Sequence, residues 1–114
     1  MEYIFSYGTL QKDNVQLDSF GRLLNGKKDL ITGYKLKKIE IKDLTVINSS
    51  KERFHPILIF SGDLSDEVKG TVYEISSAEL LKADDYEVDD YKRVETILKS
   101  GKKSWVYISK SKSI

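Results

Sequence analysis

Apolar residues in this chain come in runs too short for anything but strands and brief helices, and that brevity constrains the fold most. No uninterrupted run is longer than that of Ile57-Leu58-Ile59-Phe60, far short of the ~20 residues a membrane-spanning helix needs. Residues 3–6 (YIFS) read as a strand that stops at Gly8. Residues 34–47 alternate through Tyr34 and Leu36, then Ile39 and Ile41, then Leu44 and Val46. The phase changes predict one or two strands broken by a bulge or turn near Lys38 and near Lys42-Asp43. Residues 57–61 read as a strand buried on both faces, 62–69 as a loop and 70–75 as the next strand. Residues 91–98 and 103–108 read as an antiparallel hairpin about Ser100-Gly101.

Only two stretches carry helical spacing. In 14–25, Val15, Leu17, Phe20, Leu23 and Leu24 recur at three and four. Asp13 or Asn14 is the candidate cap, Gly21 weakens the middle, and Asn25-Gly26 ends it. In 77–86, Ser77 caps a short helix holding Leu80, Leu81 and Ala83. Residues 48–55 read as polar and turn-like. About six strands and two helices make the class α+β, with a mostly antiparallel sheet that can close into a small β-barrel.

A length of 114 residues suits one domain, placed at 1–109 with a frayed polar tail at 110–114. The chain lacks Cys and has one His. Thiolate chemistry, Cys-bound zinc and His-rich metal sites are thereby excluded, and the expected cofactor set is none. The 19 basic and 18 acidic residues leave a net charge of +1, so neither nucleic acid nor membrane is an expected partner. The basic stretch 99–112, with Trp105 and Tyr107, reads as a solubilising end. With no signal-like N-terminus, the expected location is cytoplasmic. The sequence leaves monomer and homodimer both open.

Such a composition leaves chemistry to carboxylates, hydroxyls, amides and backbone. Ser6-Tyr7-Gly8-Thr9-Leu10 lies where a strand gives way to a loop. A glycine there can take positive φ, and successive amides can cup an anion or a carbonyl oxygen. The segment is neither a dinucleotide fingerprint nor a P-loop. Residues 84–90 (DDYEVDD) hold five carboxylates, mostly those of a solvated loop. Glu87 differs, because Tyr86, Val88 and Tyr91 flank it. Turned into a pocket, it has its pKa raised by desolvation and by Asp84, Asp85, Asp89 and Asp90, and so suits proton transfer near neutrality. An exposed or structural Glu is the alternative. Tyr91 and Arg93 share one side of their strand, where Arg93 either pairs a carboxylate or balances the acidic run. Tyr107 reaches the pocket or lines the core. Trp105 reads as packing and His55 as a surface turn residue.

Taken together, YGTL after the first strand, the helix-end Asp85-Tyr86-Glu87, the following Tyr91-x-Arg93 and the final Trp105-Val106-Tyr107 resemble the gamma-glutamylcyclotransferase family. The likeness is to its small single-domain branch of gamma-glutamylamine cyclotransferases and avirulence-induced-gene-like proteins, and it runs from Met1 to about Ile108. The resemblance implies a small β-barrel with flanking helices and a pocket at one end. It implies cleavage of a γ-glutamyl amide by internal attack of the α-amine, releasing 5-oxoproline and a free amine, without water or metal. It makes Glu87 the catalytic carboxylate and Tyr7, Gly8, Thr9 and Leu10 the substrate loop, with Tyr91 and Tyr107 as further candidate pocket residues. The family commonly has Gly where Val88 stands. The competing expectations are a binding module using the same pocket for a small ligand, and an interaction domain whose strands support a dimer.

Overall fold

The computed structural model describes residues 1–40, 44, 54–87 and 90–110. Seven strands and two helices are described. They are β1 (Glu2–Ser6), α1 (Asp13–Phe20), β2 (Asn25–Thr32), β3 (Tyr34–Glu40), β4 (Phe54–Phe60), β5 (Glu67–Ile75), α2 (Ser77–Tyr86), β6 (Tyr91–Ile97) and β7 (Lys103–Ser109). A single 3-10 turn covers Thr9–Gln11. The strands form a five-stranded sheet in the order β2-β5-β1-β7-β6 and a β3-β4 ribbon. All the pairings are antiparallel except β1 with β7, so the class is α+β with a mostly antiparallel sheet.

β1 is the middle strand of its sheet and is buried on both faces, which explains its unbroken apolar character. Ile4 joins a core with Leu10, Val15, Phe20, Leu80 and Ala83, which carry the helices. Phe5 points into a second core with Ile31, Leu58, Val106 and Leu98. The ribbon serves both, since Ile57 enters the first core and Leu58 the second. That bears out burial on both faces for these two residues, while Phe60 is half exposed. Sheet and ribbon leave little slack. A Cβ on Gly70 stands 2.4 Å from the Ser6 carbonyl oxygen and 2.6 Å from the Phe5 ring. Gly70→Ala is therefore expected to destabilise the protein by about 3 kcal/mol, the upper part of the overpacking range, because backbone and a core ring must both move. Urea unfolding checks this, and a midpoint equal to that of the unsubstituted chain refutes it.

Several sequence readings need correction. The first helix ends at Phe20, not 25, because Gly21 adopts φ 72° and its N–H bonds the Leu17 carbonyl at 2.9 Å. Gly21 thus stops the helix rather than weakening it. Lys12 occupies the N-cap without a side-chain capping hydrogen bond, and Leu17 is half exposed. Asn25 and Gly26 begin β2. The second helix is capped by Ser76 rather than Ser77, in a capping box with Glu79. The Arg22 guanidinium grips Glu79 at 2.7 and 2.8 Å, tying the end of α1 to the start of α2. Above all this pair holds the Glu79 carboxyl down at about 2. β3 runs without a bulge at Lys38, in register with β4 from Tyr34–Phe60 to Glu40–Phe54. Its Lys35 to Lys38 are exposed on both faces, so no alternation is required there. β5 begins at Glu67, inside the expected loop. The hairpin of β6 and β7 forms as expected, with Gly101 at φ 93°. Lys110, read as the start of a frayed tail, is instead tied to the fold next to Ser109. Ser109 is buried in β7, and the Lys110 N–H bonds the Asp90 carbonyl at 3.0 Å. The expectations at Lys42-Asp43 and over 48–53, the neighbours Val88 and Asp89, and the tail 111–114 lie outside the described residues. Among the described residues, no helix is long and apolar enough to cross a membrane.

Candidate functional site

Sheet topology brings distant residues to one end of the molecule. β1 and β7 run parallel, with Ile4 opposite Trp105 and Phe5 opposite Val106, so their C-terminal ends lie together. β6 runs against β7, which places its first residue, Tyr91, at that same end opposite Ser109. α2 stops one residue before Glu87, which is its C-cap and donates its N–H to the Ala83 carbonyl at 3.2 Å. β4 supplies His55 and Pro56. Tyr7, Gly8, Thr9, Leu10, Glu87, Tyr91 and Tyr107 all line one small cavity, about 20 Å³, together with His55 and Pro56. That volume suits about one water molecule. Every candidate residue of the sequence reading is thus gathered in one place.

The cavity is built from committed hydroxyls. The Tyr7 hydroxyl donates to the Tyr107 backbone oxygen at 2.6 Å. The Tyr91 hydroxyl donates to the Pro56 carbonyl at 2.6 Å, and that of Tyr107 to Asp84 Oδ1 at 2.7 Å. Thr9 Oγ1 and the Tyr86 hydroxyl share a 2.7 Å hydrogen bond. Burial, foremost, pushes the Tyr7, Tyr91 and Tyr107 hydroxyls above the ordinary tyrosine range. They stay neutral and serve as fixed struts. Gly8 has φ −133°, so the expected left-handed turn is absent. Its glycine answers to close approach instead, since a Cβ there falls 2.9 Å from Pro56 Cγ. At the start of the 3-10 turn, no acceptor among the described residues takes the Thr9 or Leu10 amide. Helix starts leave such donors open.

Glu87 stands apart from these struts. Among the described residues nothing hydrogen-bonds its carboxyl, and the residue is half-buried. Burial first, and the Asp84 carboxylate second, push its pKa up to about 8. Both are effects anticipated from the flanking sequence. Glu87 also lines a second, outer groove of about 350 Å³ with Asp84, Tyr91, Arg93, Trp105, Tyr107 and Lys110. It therefore stands between a tight inner cavity and a roomier outer one. Arg93 does pair a carboxylate, clasping Asp84 at 2.9 and 3.0 Å. Its guanidinium lies 4.4 Å from the centre of the Trp105 ring, so Trp105 does more than pack.

Two members of the cavity escaped the sequence reading. His55 is buried rather than on the surface, because β4 crosses the loop that follows β1. Pro56 fits inside β4 because its free edge needs no N–H from it. The available signal was the apolar run just after His55-Pro56, which marks a buried strand beginning there. Among the described residues, no group of three or more His, Asp or Glu side chains is placed to hold a metal ion.

The family model described as Gamma-glutamyl cyclotransferase, AIG2-like, matches residues 4–113. No curated protein sequence matches the chain significantly. Among solved structures, an uncharacterized protein from Pyrococcus horikoshii superposes with a TM-score of 0.65 at 23% identity, covering 100% of this chain and 82% of that one. A protein of Arabidopsis thaliana gives 0.71 at 21% identity, covering 99% and 71%. A gamma-glutamyl cyclotransferase gives 0.70 at 17% identity, covering 96% and 67%. At these identities the likeness to solved structures is one of fold.

Proposed function

The chain belongs to the AIG2-like gamma-glutamyl cyclotransferase family, and from that premise we propose that it cyclises the γ-glutamyl group of a small amide. The products are 5-oxoproline and a free amine, and Glu87 carries the proton. One observation bears most of this reading. A half-buried carboxyl with no hydrogen bond among the described residues lines the cavity of the Tyr7–Leu10 loop, while the Tyr7, Tyr91 and Tyr107 hydroxyls are committed elsewhere.

Such a carboxyl keeps its lone pairs for a ligand. With its pKa near 8 it is an acid when the cavity is empty at neutral pH. An α-ammonium drawn against it supplies the opposite charge and favours the carboxylate. The carboxylate takes one proton from the ammonium, and the freed amine attacks the γ-carbonyl carbon. The C–N bond to the leaving group breaks as Glu87 returns that proton to its nitrogen. The second proton, which the ring nitrogen sheds on becoming a lactam N–H, passes through Glu87 to the released amine, which departs as an ammonium. Holding the glutamyl chain folded turns this into a ring closure with little entropy left to lose. The open Thr9 and Leu10 amides are suited to the negative charge that develops on the carbonyl oxygen. The inner cavity is tight, so we assign it to the carbonyl and the outer groove to the rest of the substrate.

A panel of γ-glutamyl amines and γ-glutamyl dipeptides is expected to yield 5-oxoproline for at least one member. No turnover across the panel refutes the enzyme and leaves a ligand-binding module. For the best substrate, kcat/KM is expected to climb with pH along an acid limb whose midpoint lies near 8, as the free enzyme's Glu87 ionises. A flat profile between pH 5 and 8 counts against Glu87 as the base.

A further inference from the structure

We propose that Asp84 is a positioning residue of the site: held in the outer groove by Arg93 and Tyr107, its carboxylate keeps the proton on Glu87 until a cationic substrate group arrives. The proposal rests on the preceding reading only in taking Glu87 as the working carboxyl.

Asp84 and Glu87 are three residues apart at the end of α2, which puts them on the same side of the chain, and both line the groove. Two solvent-facing carboxylates so placed ordinarily swing apart. Asp84 is not free to do so. Arg93 Nε donates to its Oδ1 at 2.9 Å and Arg93 Nη2 to its Oδ2 at 3.0 Å. The Tyr107 hydroxyl adds a third bond, to Oδ1, at 2.7 Å. Such a two-pronged clasp fixes orientation as well as charge. Arg93 is itself held against the Trp105 ring, and Trp105 Nε1 donates to Glu2 Oε1 at 2.9 Å. The anchor thus reaches from the edge strand β6 through β7 to β1.

Among the described residues, the other titratable or charged groups that line the two cavities with Glu87 are Tyr7 after β1, His55 on β4, Tyr91 and Arg93 on β6, and Tyr107 and Lys110 on β7. The three tyrosines are neutral donors whose hydrogen bonds go elsewhere. Asp84 is the acidic side chain that shares the groove with Glu87, and Arg93 is its direct counterweight. The two should therefore act on the Glu87 proton in opposite senses, whereas a purely structural pair would act in the same sense.

The test is a carbon-13 NMR titration of the Glu87 side-chain carboxyl in the ligand-free full chain, compared across Asp84→Asn and Arg93→Gln. Asp84→Asn keeps the shape and removes the charge, so the Glu87 midpoint is expected to fall by about one pH unit or more. Arg93→Gln leaves Asp84 uncompensated, so the midpoint is expected to rise. An unchanged midpoint in Asp84→Asn, or shifts of the same sign in both variants, overturns the proposal. Should Asp84→Asn fail to fold, Arg93→Gln decides alone, a fall or no change overturning it. The titration needs no turnover, so it is independent of the activity panel. A silent panel with opposed shifts refutes the cyclotransferase and keeps the role of Asp84.

Discussion

Replacing Glu87 by Gln is expected to lower 5-oxoproline production by about 10²- to 10⁴-fold in kcat, and to raise KM as well, because the α-ammonium loses its carboxylate partner. The amide keeps the volume and the planar shape of the carboxyl, so the cavity walls need not move. It cannot accept the ammonium proton, nor hand one to the leaving nitrogen. Both halves of the reaction lose their proton carrier at once. Positioning by the Tyr7–Leu10 loop and the open amides of Thr9 and Leu10 survives, so a small residual rate is expected. Glu87→Asp keeps the acid but withdraws it by one methylene, and an intermediate loss is expected. Steady-state kinetics on the best substrate of the panel measures both. Full turnover in Glu87→Gln removes the carboxyl from the mechanism.

The same substitution is expected to change stability in a pH-dependent way. In the unfolded chain Glu87 titrates near 4.5, and in the folded protein near 8. Between these values the native state holds a proton that the unfolded state has released. Stability from this group is therefore complete below about 4.5 and is lost as pH rises through about 8. Gln cannot ionise and is exempt. The stability of Glu87→Gln minus that of the unsubstituted chain is expected to grow by about 2 kcal/mol or more between pH 4.5 and 8.5, in favour of Gln. Taking the difference between two pH values cancels any fixed cost of burying the amide. Urea titrations at the two values decide the matter. A constant difference means the Glu87 carboxyl ionises as freely in the folded protein as in the unfolded chain. The expected pairing of lower activity with higher stability is that of a site kept at the expense of the fold.

Local chemistry explains why so much of the site could be read directly. Glu87 sits among side chains that tend toward burial, and its strongest charged neighbour is three residues away. Its perturbation is therefore largely encoded within one stretch. The hairpin about Ser100-Gly101 is likewise a local matter, settled by turn residues between alternating runs. What escaped was set from far along the chain. Gly8 is glycine because the Pro56 ring lies against it, and nothing near Gly8 announces that. His55 is buried because β4 passes over the end of β1. β2 carries little alternation, since only its last few residues turn inward and the rest pair with β5 in solvent. Its identity as a strand comes from its partner.

The parallel pairing of β1 with β7 has a consequence for biosynthesis. The chain's first strand has its last as a neighbour, and the Tyr7 hydroxyl bond to Tyr107 spans 100 residues. Contacts that distant form late, because the intervening loop must close first. On the ribosome, β1 can meet β5 well before β7 has left the exit tunnel. A nascent chain halted before Lys103 has most of its sheet, yet lacks the strand that brings Tyr107 and Trp105 to the cavity. The end of the molecule that carries the cavity is thus completed only once β7 has been made.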